Sequence, residues 1–145
     1  MGAKNYGVAS AATRTVIAGS SYGGLAAAFA AFRSPEVFGN VLSQSGTFSY
    51  YPGWQPNATD YATNTGWLTR QFAISPKRSI RFYLEVGIFE GGPIYSLLRE
   101  NRNLKDVLEA RGYVVSYREF SGGHDYLTWR NSLGDGLIAL LGNMK

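Results

Sequence analysis

The chain has 145 residues, enough for one domain with a real core, and its 45% apolar and 17% charged content is ordinary for a globular fold. The net charge of +4 is scattered from Arg33 to Arg130 and forms no basic stripe, which argues against a nucleic-acid partner. There is no cysteine, so disulfides and thiolate metal sites are excluded, and neither a metal nor a cofactor is expected. The longest apolar run, near Leu25 to Phe32, is too short to span a bilayer, and residues 1–14 lack the apolar stretch of a signal peptide. A soluble, cytoplasmic protein with no membrane partner is the expectation.

Taken in chain order, Thr15-Val16-Ile17-Ala18 is a short, β-branched run that leads into Gly19-Ser20-Ser21-Tyr22-Gly23 and then into Leu25-Ala26-Ala27-Ala28-Phe29. This predicts a strand over about 15–19 and a helix over 21–33, with Ser21 exposed on the sharp turn of a nucleophile elbow. Gly19 and Gly23 are read as the small residues that let strand and helix approach. The first turn of the helix would offer the Tyr22 backbone N–H and a partial positive charge to a developing oxyanion. The bare Gly-x-Ser-x-Gly pattern is weak in a chain with 18 glycines. A packing turn is one alternative; a phosphate loop is another, but it lacks the Lys that should follow its second glycine.

A second strand is read at 39–43. The stretch Thr47 to Thr65, rich in Tyr, Trp, Pro and Asn, reads as a long loop at the same rim as Ser21. There Tyr50, Tyr51 and Trp54 would form an aromatic wall for substrate or simply pack on one another. A helix over 66–74 precedes a third strand over 80–86. Glu90 falls just past the end of that strand, on the rim where parallel sheets assemble their sites, whereas Glu85 lies inside the strand. Leu97, Leu98, Leu104, Val107 and Leu108 predict a helix over 94–111, with Gly112 as its stop.

A fourth strand over 113–119 leads to Ser121-Gly122-Gly123-His124-Asp125 and a last helix over 125–141. His124 is the single histidine, and it occupies the place of the base in the chain order Ser, acid, His. An exposed loop residue is its plain alternative. Glu90 is the preferred acid; a Ser–His dyad without a strong acid is the other possibility. Asp125 suits the helix N-cap better, because neighbouring side chains diverge. Trp129 and Arg130, one turn further on, either flank the substrate or serve as a core Trp and a surface Arg. The alternation of β and α predicts an α/β fold with about four mostly parallel strands and helices on both faces. It would form a single domain over 1–145, with 1–14 as a lead-in.

Together, Gly19-Ser20-Ser21-Tyr22-Gly23-Gly24-Leu25-Ala26-Ala27, Phe38-Gly39-Asn40-Val41-Leu42-Ser43-Gln44-Ser45-Gly46, Leu84-Glu85-Val86-Gly87 and Gly122-Gly123-His124-Asp125 with Trp129-Arg130 resemble the enterochelin esterase-like (esterase D) family. The likeness runs from about Ala12 to Leu141. It implies an α/β-hydrolase serine esterase acting on a small ester, with Ser21 as nucleophile, His124 as base and Glu90 at the acidic position. Family members place several strands before the elbow, including a loop that donates a second oxyanion N–H, whereas 14 residues precede Thr15 here. The expectation is therefore a carboxyl-terminal half, a truncated α/β-hydrolase. Loss of one oxyanion donor would cost roughly 10²–10³ in rate. The elbow strand would then be an apolar sheet edge, covered by pairing in a homo-oligomer. The alternative function is a weak or inactive hydrolase remnant serving as a binding or assembly module.

Overall fold

The computed structural model describes residues 11–55, 59–93 and 95–142, so the lead-in is described only from Ala11 onward. Its elements are β1 (Val16–Ser20), α1 (Tyr22–Arg33), β2 (Asn40–Gln44), α2 (Tyr61–Asn64), α3 (Trp67–Ile74), β3 (Arg81–Gly87), α4 (Leu97–Ala110), β4 (Val114–Phe120) and α5 (Tyr126–Leu141). All four strands are parallel and lie in the order β1-β2-β3-β4. Each connection advances one strand in the same direction, so right-handed crossovers bring α1, α3 and α4 to one face. The last helix, α5, covers the other.

Alternation along the same strands supplies both faces, successive residues pointing to opposite sides. Val41, Phe82 and Leu84 point into the larger core, against Leu25 and Ala28 of α1, Leu68 and Phe72 of α3, and Leu104 and Leu108 of α4. Phe72 centres it, edge-on to Phe32, Phe82 and Tyr113. On the opposite face Leu42 and Tyr83 meet Leu140 of α5. Gly136 allows that contact, since a Cβ there would come within 2.6 Å of Leu42 Cδ1.

The seat of α5 is otherwise polar. Glu85, fully buried in β3, accepts from Gln44 Nε2 at 2.8 Å, from Tyr83 OH at 3.2 Å and from Ser132 Oγ. Gln44 Nε2 also donates to the Trp129 carbonyl at 2.7 Å and to Ser132 Oγ at 3.0 Å. A buried carboxylate is tolerable only when its lone pairs are used in this way.

The elements differ from the sequence reading mainly at their ends. Each strand starts one residue later than read. The helix α4 begins at Leu97 because Ser96 caps it, its Oγ accepting from Arg99 N at 3.1 Å. The stretch read as a plain loop contains α2, whose preceding residue Asp60 accepts from Asn64 Nδ2 at 2.6 Å and from Tyr51 OH. Among the described residues β1 pairs with β2 alone; Val16 and Ile17 are half-buried and Ala18 is exposed.

Candidate active site

Ser21 stands between β1 and α1 with φ 57° and ψ −123°. Among the described residues, the only non-glycine positions with positive φ are Ser21 and Ser45, where φ is 50°. Such backbone costs on the order of 1–3 kcal/mol and persists only where its surroundings enforce it. At Ser21 they do. Its N–H donates to the Gln44 carbonyl at 2.9 Å, and its carbonyl accepts from Gly24 N at 3.0 Å and Thr47 N at 3.0 Å.

The small residues of the turn serve differently from the expectation. A Cβ on Gly19 would collide with the Gly23 backbone, so Gly19 is needed as read. A Cβ on Gly23, by contrast, would meet nothing within 4 Å. The second close approach belongs to Gly24, where a Cβ would strike Ser43 Oγ and lie 3.0 Å from Gly46 Cα. It is the first turn of α1 against the end of β2 that demands glycine.

The three residues singled out for catalysis converge at the carboxyl rim of the sheet. Ser21 Oγ lies 2.9 Å from His124 Nε2, and His124 Nδ1 lies 2.6 Å from Glu90 Oε2. Glu90 is carried three residues past β3, and its side chain is 2% exposed while that of His124 is 38% exposed. The carboxylate is fully engaged. Its Oε1 accepts from Gly87 N at 2.8 Å and from Ser45 Oγ at 2.5 Å. Asp125 takes the role read for it, capping α5 by accepting from Thr128 N at 3.0 Å; that bond holds its carboxyl below the usual range. The cap fixes the start of the helix immediately after His124.

Trp129 is buried rather than lining an open pocket. Its ring stands edge-on to the imidazole, centroids 4.7 Å apart, and its Nε1–H donates to Ser45 Oγ at 3.1 Å. Arg130 is exposed. Tyr50 packs against the larger core, and Trp54 sits half-buried in a turn closed by its N–H to the Tyr51 carbonyl at 3.1 Å. Neither has a hydrogen bond or ring contact with Ser21, Glu90 or His124 among the described residues. Tyr22 opens α1, where the first backbone N–H groups have no partner within the helix.

Four features escaped the sequence reading. Ser45 touches Glu90, and Thr47, itself buried, places Oγ1 3.3 Å from Ser21 Oγ. Phe89, Tyr126 and the side chain of Tyr22 are exposed rings, at 69%, 83% and 51% exposure, each one or two positions in sequence from a member of the Ser–His–Glu set. Glu85 and Gln44 seat α5 from below. Sequence adjacency to Ser21, Glu90 and His124 was the available signal for the rings, whereas the aromatic-rich loop drew the expectation elsewhere. Among the described residues no group of three or more His, Asp or Glu could hold a metal ion, and no helix is long and apolar enough to cross a membrane.

The chain matches the model of the Putative esterase family over residues 3–140. It is 38% identical over 132 residues to the iron(III) enterobactin esterase of Escherichia coli O6:H1, covering 89% of this chain and 30% of that protein. The chain thus spans less than a third of the length of this relative. The solved enterobactin esterase of Shigella flexneri, crystallised in the presence of 2,3-dihydroxy-N-benzoyl-glycine, superposes with a TM-score of 0.81 at 34% identity. That match covers 99% of this chain and 35% of the other. A ferulic acid esterase at 20% identity and TM-score 0.72, over 96% of this chain and 55% of its own, shares the fold. With four parallel strands and a family match over nearly its whole length, the chain belongs to this esterase family and carries its α/β-hydrolase fold.

Proposed function

We propose that the chain carries the catalytic centre of a serine carboxylic-ester hydrolase. One observation carries the reading: an unbroken line of contacts from Ser21 Oγ through His124 to Glu90, at 2.9 Å and 2.6 Å. With Glu90 accepting from Nδ1–H, the Nε2 lone pair faces the serine hydroxyl. Ser21 Oγ attacks the ester carbonyl as its proton passes to Nε2, and the Tyr22 N–H, with the positive end of α1, stabilises the oxyanion. The C–O bond to the alcohol then breaks, and His124 returns that proton to the departing alkoxide. Water repeats the cycle on the acyl-enzyme: His124 takes its proton, hydroxide adds, and Ser21 leaves reprotonated, freeing the carboxylic acid.

The exposed rings of Tyr22, Phe89 and Tyr126 favour an ester with an aromatic acyl group. The relatives named for enterobactin, one crystallised with a dihydroxybenzoyl compound, support the same substrate class. Hydrolysis of p-nitrophenyl butyrate and labelling by a fluorophosphonate test the mechanism. Both should disappear in Ser21→Ala, and turnover that survives the substitution would refute it. A remnant that only binds would bind dihydroxybenzoyl esters without labelling. The β1 edge keeps self-association as a separate proposal, with light scattering at micromolar concentration as its test and a stable monomer as the contrary result.

A further inference from the structure

The second serine with positive φ is the more informative one. Strain at Ser21 projects the nucleophile, but Ser45 lies at the end of β2, where glycine would hold φ 50° without penalty and where Gly46 already follows. A side chain kept at such a position points to a use for its hydroxyl. Ser45 is fully buried, and that hydroxyl is used twice: it donates to Glu90 Oε1 at 2.5 Å and accepts from Trp129 Nε1–H at 3.1 Å. Trp129 in turn presses edge-on against the imidazole.

The contacts close into a ring. Ser45 holds Glu90, Glu90 holds His124 through Nδ1, His124 lies on Trp129, and Trp129 returns to Ser45. Its members come from the ends of β2, β3 and β4 and from the first turn of α5. Gly87 N–H and the Ser45 hydroxyl both bind Oε1, so the carboxylate cannot turn about its last bond without abandoning two donors. Oε2 is thereby left aimed at the imidazole.

We propose that Ser45 is a positioning residue for the acid of this site, fixing the Glu90 carboxylate and, through Trp129, the plane of the His124 ring. The inference rests on the serine-hydrolase reading, and its test separates the two. Ser45→Gly removes the hydroxyl and relieves the backbone, while Ser45→Ala removes the hydroxyl and keeps the strain. Both should lower kcat on p-nitrophenyl butyrate about 10- to 100-fold with KM unchanged, the loss expected for a hydrogen bond to a charged group. S45G should nevertheless melt at or above the temperature of S45A. Wild-type kcat in S45G, or activities that simply follow the melting temperatures, would overturn the proposal.

A second readout needs no turnover. The chain has one histidine, so ¹⁵N-histidine labelling gives a single imidazole. Its hydrogen-bonded Nδ1 proton should resonate far downfield in the wild type and broaden or vanish in S45G. If the wild type hydrolyses no ester, the hydrolase reading fails, and this resonance still decides the role of Ser45. An unchanged signal in S45G would refute that role.

Discussion

Glu90→Gln probes the site most sharply, because the substitution keeps shape and changes only donors and acceptors. Three donors surround the carboxylate: Gly87 N–H and the Ser45 hydroxyl on Oε1, and the imidazole on Oε2. An amide cannot accept from all of them. With its NH₂ toward Oε1 it opposes the Gly87 N–H, leaving buried donors unpaired at about 1–3 kcal/mol. With its NH₂ toward His124 it donates to Nδ1, which moves the ring proton to Nε2. The second arrangement retains both contacts at Oε1 and should prevail. The imidazole then donates to Ser21 instead of accepting from it, so the general base is lost while the geometry survives. The acid-to-amide change in the serine-protease triad, where the same tautomer error arises, costs about 10⁴ in kcat. A fall of roughly 10³–10⁴ is expected here in p-nitrophenyl butyrate hydrolysis, with fluorophosphonate labelling slowed to match. The side chain is 2% exposed, so bulk water cannot substitute for the lost acceptor. If E90Q keeps kcat within tenfold of wild type while folding normally, Glu90 does not set the tautomer and the site works as a dyad.

Further expectations concern the scaffold. Gly23→Ala should be neutral or stabilise by up to about 0.5–1 kcal/mol, since its Cβ meets open space in a helix, whereas Gly24→Ala should destabilise by more than that through collision with Ser43 Oγ; urea titrations of the pair decide it. Asp125→Ala should cost about 1 kcal/mol by uncapping α5, read as a lower melting temperature. Arg102 binds Glu119 in two-pronged fashion at 2.7 Å and 2.8 Å, and with Tyr117 it holds that carboxyl at about 2, below its usual 4.5. A depressed pKa stabilises the fold above the unfolded value and loses that effect as pH falls from 4.5 toward 2. Glu119→Gln should flatten the acid limb of stability in that window; at neutral pH it should cost less than about 1 kcal/mol, because Arg102 is 53% exposed.

The Ser21–His124–Glu90 line was legible in the sequence because each member sits at a strand end, where backbone pattern alone places it at one rim. A β-branched run fixed Ser21, a strand stop fixed Glu90, and being the single histidine drew attention to His124. What supports them was not legible, since it depends on which face a strand turns inward. Ser45 and Gln44 look alike as polar residues closing β2, yet one binds Glu90 and the other seats α5. The exchange of Gly23 for Gly24 has the same origin, because helix phase after a strained turn decides which glycine faces β2. Tyr50 and Trp54 were weighted by composition, and composition carries no direction.

The polar seat of α5 has a consequence for how precisely His124 is aimed. This helix carries apolar side chains well beyond its buried face, with Leu127, Leu133, Leu137 and Ile138 partly or largely exposed while Trp129 and Leu140 are buried. Apart from the close approach at Gly136, its apolar contacts are non-directional and hold the roll of the helix only weakly. Glu85 removes that freedom: only one rotation offers it Ser132 and brings the Trp129 carbonyl to Gln44. Any other rotation takes the Ser132 hydroxyl from a buried carboxylate that then keeps only Gln44 and Tyr83, and leaves one Gln44 N–H without the Trp129 carbonyl, at about 1–3 kcal/mol for each buried group left unpaired. The interior carboxylate thus acts as a key against slippage rather than as glue. Filling the seat with aliphatic side chains at Gln44, Glu85 and Ser132 should leave a protein that melts no lower but holds His124 in several orientations. In this fold, holding together and holding still are set by different residues.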